Sequence, residues 1–137
     1  MTFTMYDTLL QLPIFQGISR SDLTIILDKV KLEFLKYEAG EKIVSQGERC
    51  DALYFLLNGE MIAQTLSSAS AFTFSEYLPA PYVIEPSSLF GLHNNFACSY
   101  VASSEVNLLK INKWYIYSEL SKYDIFRINY LNIISTR

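Results

Sequence analysis

Few residues in this 137-residue chain have the type and spacing to make or break bonds. The one histidine, His93, lies in Leu92-His93-Asn94-Asn95, a polar stretch that reads as an exposed loop. A serine or cysteine nucleophile needs a base within reach, and one unsupported loop histidine supplies neither a triad nor an imidazole-rich metal site. Cys50 and Cys98 carry neither CxxC nor metal-ligand spacing, so they read as free thiols of a reducing cytoplasm. Two distant thiols also fall short of the ligand set of an iron–sulfur cluster. Glu41, Glu48, Asp51 and Glu60 fall at or near turns and read as solvated strand ends. The chain therefore reads as a binding module and not an enzyme, with no metal and no cofactor.

The elements that would hold a ligand are legible from the turn residues. From Tyr37 to Glu60 the sequence runs YEAGEKIVSQGERCDALYFLLNGE, with Gly40, Gly47 and Gly59 between short β-rich runs. Such spacing marks tight corners of a compact β-structure. Asn58-Gly59 predicts a two-residue hairpin of the type I′ kind, joining a strand at 52–57 to one at 60–65. Leu32–Tyr37 and Glu41–Ser45 read as earlier strands, Tyr82–Ile84 as a short one, and 96–102 and 106–111 as the closing pair. Phe72 and Phe74 share one face of a further strand.

Helices flank this region. A short one covers 6–12 and stops near Pro13. Ser19 with Asp22 forms a near capping box, and Leu23, Ile26, Leu27 and Val30 follow at helical spacing. Asn112 predicts an N-cap for a helix through Trp114 and Leu120. A last helix starts near Tyr123 or Asp124 and is apolar almost all round, so it is buried or meets a partner, and it reads as cut short at Arg137.

Half of the residues are hydrophobic, 15% are aromatic and only 18% are charged, which predicts a surface partly hidden against a partner or, alternatively, a generous core. The net charge of −3 and the absence of a basic stripe exclude direct nucleic-acid binding by these residues. Neither a signal peptide nor an apolar run of roughly 18 residues is present, which predicts a cytoplasmic protein with no membrane partner.

Helices, then a glycine-punctuated jelly-roll, then a terminal helix resemble the sensor half of the Crp–Fnr family of bacterial transcription regulators. Pro13-Ile14-Phe15-Gln16-Gly17-Ile18-Ser19 is similar to the family's opening segment. Tyr37 to Gly59 is similar to its YxxGExIxxQGExxDxLYFLLxG run, and Asn107–Ile111 followed by Lys113 to its last strand and next helix. The resemblance implies a mainly β fold, the double-stranded β-helix (jelly-roll) of cyclic-nucleotide-binding domains. It implies one sensor domain over 1–137, with N-terminal helices at 1–30, the jelly-roll at 31–111 and C-terminal helices at 112–137. It also implies a homodimer through the C-terminal helix, with DNA read by a helix-turn-helix domain that these residues do not include. Phe126, Tyr130, Ile133 and Ile134 are the candidates for the dimer or core face of that helix.

The same resemblance implies a phosphate-binding cassette, in which a Gly-Glu pair opens a short helix and an Arg followed by a small residue meets the cyclic phosphate. Anchored on Ala102 and Ile111, the arginine position falls on Phe96 and the small residue on Ala97. The Gly-Glu pair falls on Glu85-Pro86, or on Ile84-Glu85 with one residue inserted, so Glu85 could serve as ribose acceptor. No Lys or Arg occurs between Val83 and Tyr100. A phosphate could rest on amides near Ser87, Ser88 and Leu89, but without a cation it would lose charge-assisted contacts. The pocket of Glu85, Ser87, Ser88, Leu89, Phe96 and Ala97 is thus expected to be degenerate, to refuse cAMP in the usual manner, and to hold an unidentified effector or its own side chains. A stand-alone jelly-roll module for ligand binding or scaffolding, never acting on DNA, is the alternative expectation.

Overall fold

The computed structural model describes residues 5–66 and 73–135. Its contacts divide into two units: one of residues 33–111, and one of the described parts of 1–32 and 112–137. Among the described residues, eight strands form two four-stranded sheets. In chain order they are β1 (Leu32–Tyr37), β2 (Lys42–Val44), β3 (Ala52–Asn58), β4 (Glu60–Leu66), β5 (Thr73–Pro79), β6 (Tyr82–Ile84), β7 (Ser99–Ala102) and β8 (Val106–Asn112). One sheet has the order β1-β8-β3-β6, the other β2-β7-β4-β5. This is the expected jelly-roll.

The sheet assignment corrects the expected hairpin. β3 and β4 follow one another across Asn58-Gly59, yet they lie in different sheets. β4 pairs antiparallel with β5 (Ile62 opposite Tyr77) and with β7 (Ala63 opposite Tyr100), while β3 pairs with β6 (Tyr54 opposite Ile84). A type I′ turn needs positive φ at both central residues. Gly59 has it, at 92°, but Asn58 ends β3 without it, and Glu85 is the one non-glycine with positive φ among the described residues. Gly59 is instead a corner between sheets. A Cβ there would lie 2.3 Å from the Glu105 carbonyl oxygen and 2.9 Å from Val106 Cγ1, so the close approach of two chain segments demands glycine.

The turns before it carry a repeated device. The Glu41 carboxylate accepts from the Glu38 amide at 2.7 Å, and that of Glu48 accepts from the Ser45 amide at 3.1 Å. Each acid folds back three residues onto its own turn, so these exposed side chains tie down corners.

In the helical unit, α1 is Met5–Leu10, α2 Arg20–Lys29, α3 Lys113–Ser118 and α4 Asp124–Ser135. Ser19 Oγ accepts from the Asp22 amide at 3.1 Å, and Asn112 Oδ1 from the Trp114 amide at 2.8 Å, so both predicted caps form. α3 ends at Ser118, short of the expected Leu120, which lies in a separate 3-10 turn. Leu23, Ile26 and Val30 are buried. Phe126 of α4 is 2% exposed, with its ring 6.4 Å from that of Phe15. Asn129 Nδ2 donates to the carbonyls of Ile14 and Gln16 at 3.0 and 2.8 Å. The expected phenylalanine pair position at Phe72 lies outside the described residues, while Phe74 is exposed. Among the described residues, no helix is long and apolar enough to cross a membrane.

Candidate functional site

The site lies where the chain leaves one sheet and enters the other. β6 ends at Ile84, and β7 begins at Ser99. The last residues of the intervening segment are fixed against the 46–50 region. The amides of Phe96 and Gly47 exchange hydrogen bonds with the carbonyls of Glu48 and Phe96, each at 2.8 Å, and the Cys50 amide donates to the Asn94 carbonyl at 2.7 Å. Asn95 Nδ2 adds a bond to the Gly47 carbonyl at 2.7 Å. Residues 94–96 are thereby fixed, and the chain then bends at Ala97 and Cys98, whose amides donate to the side chain of Glu85 at the end of β6.

Glu85 meets them there. Its backbone is left-handed, at φ 37° and ψ 61°, a conformation that costs an L-residue about 1–2 kcal/mol. Pro86, which cannot continue a ladder, follows it and opens a 3-10 turn through Ser88. The turn is closed by the Ser88 amide donating to the Glu85 carbonyl at 2.9 Å. This geometry swings the Glu85 side chain inward, where it is 5% exposed.

Four donors converge on its carboxylate. Oε1 accepts from Ser88 Oγ and from the Ala97 amide, both at 2.8 Å. Oε2 accepts from the Cys98 amide at 3.2 Å and from the Tyr100 hydroxyl at 2.9 Å. None of the four carries a charge. Burial, and then the adjacent Glu85 carboxylate, push the Tyr100 phenol far above its ordinary value of 10.0, so it remains a donor.

Phe96 lies beside this cluster in sequence but points elsewhere. Its ring is 3% exposed and meets Tyr54 of β3 edge-on, with centroids 6.2 Å apart. Lys110 Nζ sits 5.6 Å over the Tyr54 ring, and burial raises the Tyr54 phenol to about 12. An aromatic contact thus stands at the position that the family resemblance gives to arginine.

Of the six expected pocket residues, Glu85, Ser88 and Ala97 are brought together by hydrogen bonds. Leu89 is a fully buried core residue, Phe96 joins Tyr54, and Ser87 is exposed. The Ser88 amide, one of those expected to receive a phosphate, is already bonded to Glu85. Cys98 and Tyr100 belong to the cluster although their chemistry did not single them out. The available signal was Tyr100 itself, because a buried tyrosine hydroxyl needs a partner. His93 is exposed, Cys50 is buried and Cys98 is half-buried. Among the described residues, no group of three or more metal-ligating side chains forms.

On α4, Phe126 lies in the core of the helical unit, while Tyr130, Ile133 and Ile134 are half-buried. The outward apolar residues are Ile125, Ile128 and Leu131, at spacings of three along the helix.

Comparison with curated proteins finds no significant match. Among solved structures, the chain is similar to the sensor domain of the transcriptional regulator DNR from Pseudomonas aeruginosa, at 18% identity and a TM-score of 0.72, covering 95% of this chain and 90% of that one. It is similar to a transcriptional regulator from Thermotoga maritima, at 21% identity and a TM-score of 0.68, covering 83% and 87%. A third likeness is to the regulatory subunit of a cAMP-independent protein kinase A from Trypanosoma brucei, a mutant bound to cAMP, at 19% identity and a TM-score of 0.76. That match covers 98% of this chain but 47% of the kinase subunit. At such identities the likeness carries the fold alone. The family model for the cyclic nucleotide-binding domain matches residues 34–123, which is more than half of the chain and includes every donor to Glu85. This chain therefore belongs to the cyclic nucleotide-binding domain family.

Proposed function

We propose that this chain is the effector-sensing regulatory domain of a cytoplasmic Crp–Fnr-type transcription regulator, with a degenerate cassette that does not take cAMP in the usual way. The domain binds and transmits, and carries out no catalysis. The carrying observation is the pairing of Phe96 with Tyr54 at the arginine position, while the Glu85 carboxylate accepts from four donors of its own chain. A cyclic phosphate would meet the Phe96 ring and not a guanidinium at that position, and a ribose hydroxyl would have to displace bonds already made. The likeness to the DNR sensor domain supports the regulator assignment.

In this reading the protein forms a homodimer through α4, with the exposed Ile125, Ile128 and Leu131 as the outward apolar stripe. Tyr130, Ile133 and Ile134 flank it, and DNA is met through a domain outside these residues. An effector would act by changing the packing of α4. Calorimetry with cAMP and cGMP tests the degenerate cassette: no saturable heat is expected, and micromolar binding of either nucleotide contradicts it.

A further inference from the structure

We infer that Glu85 sets the ligand class of this site: its carboxylate is a resident anion that fills the donor cluster and makes it refuse anionic ligands. The inference rests on the reading of the cassette as degenerate. Two consecutive amides, a serine hydroxyl and a tyrosine hydroxyl form a cluster of uncharged donors suited to an anion with two or more oxygens. Glu85 satisfies it completely, with two donors on each oxygen. A carboxylate has about four lone-pair directions, so this arrangement also leaves no free one for a cation. Uncharged molecules are then the class that can approach without breaking the cluster.

The backbone supports the same conclusion. Glu85 alone among the described non-glycine residues has positive φ, and that conformation delivers its side chain to the donors. A glutamate serving only as a solvated turn residue would not need it. Ala97 is exposed and Cys98 half-buried, so the cluster lies near the surface, within reach of a small ion once the side chain is removed.

Glycine is the informative replacement, because it keeps the left-handed backbone while deleting the carboxylate. Wild-type protein and Glu85→Gly would be melted in sodium chloride, sodium acetate and sodium phosphate at matched ionic strength. The expected result is a saturable rise in the melting temperature of Glu85→Gly in acetate or phosphate, about 5 °C near ten times Kd, with no such rise in wild type. An equal response of both proteins places the anion elsewhere and overturns the inference, as does no response in either. Should Glu85→Gly fail to fold in chloride, refolding in acetate and phosphate decides: recovery in either supports a resident anion, and failure in all three overturns it. Wild type that binds cAMP contradicts the degenerate cassette itself. Wild type that ignores cAMP, together with an unresponsive Glu85→Gly, removes only the resident-anion inference.

Discussion

The Tyr100 hydroxyl donates to Glu85 Oε2 at 2.9 Å, and the two residues are 3% and 5% exposed. Tyr100 comes from β7, opposite Ala63 of β4, while Glu85 follows β6 of the other sheet. The bond therefore ties the two sheets at the point where the chain passes between them. Tyr100→Phe removes one donor from a buried carboxylate. A loss of about 1.5–3 kcal/mol is expected, read from urea unfolding at constant slope. A midpoint equal to wild type would show that the tie contributes nothing.

The same pair gives the protein a defined alkaline limit. The folded Tyr100 phenol is raised above its ordinary value of 10.0, by burial first and by Glu85 next. The folded state thus holds this proton more tightly than the unfolded state. Its contribution is complete below about pH 10 and declines as pH rises beyond, because the unfolded phenol then ionises while the folded one does not. Stability measured from pH 8 to 11 should fall above pH 10, and less steeply in Tyr100→Phe. Tyr54, raised to about 12, and Tyr37, also raised, keep part of the slope in the variant. Identical slopes in the two proteins would contradict the assignment to Tyr100.

Gly59 and Gly47 separate steric need from backbone need. Both have positive φ, but a Cβ at Gly47 would meet nothing within 4 Å, whereas one at Gly59 would meet the Glu105 carbonyl at 2.3 Å. Gly47→Ala is expected to cost about 1–2 kcal/mol, the backbone term alone. Gly59→Ala should cost about 3 kcal/mol or more, because the corner between sheets must also open. Equal midpoints in denaturant would refute the corner assignment.

How much of this was legible in the sequence follows from the range of the interactions. Ser19 and Asn112 were readable as caps because the bonded amides lie three and two residues away. Asn58-Gly59 was readable as a corner but not as a crossing between sheets. That depends on β4 choosing β5 and β7, pairings that no local turn signal encodes. Phe96 stood out at once as an apolar residue where the family resemblance places arginine. Glu85 was singled out too, yet its role was not, since Ala97, Cys98 and Tyr100 reach it from 12 to 15 residues away. A left-handed glutamate before a proline has no sequence signature.

On α4, the two faces predict opposite responses. Phe126→Ala removes a ring packed on Phe15 and should cost about 3–5 kcal/mol of stability. The double change Ile128→Ser and Leu131→Ser touches exposed residues and should alter stability by only about 0.5 kcal/mol. If the proposed dimer forms through this stripe, sedimentation velocity should show self-association weakened about tenfold or more. A wild type that stays monomeric across the concentration series, or a variant that associates equally well, would rule out this face.

Glu85 holds the amides of Ala97 and Cys98, and in the proposed function this closes them to a cyclic nucleotide. Amide-resolved NMR of the wild-type protein during a cAMP titration reads those two groups directly. Both amide signals are expected to stay fixed as cAMP is raised to millimolar concentration. Saturable shifts of Ala97 and Cys98 with a micromolar midpoint would contradict it.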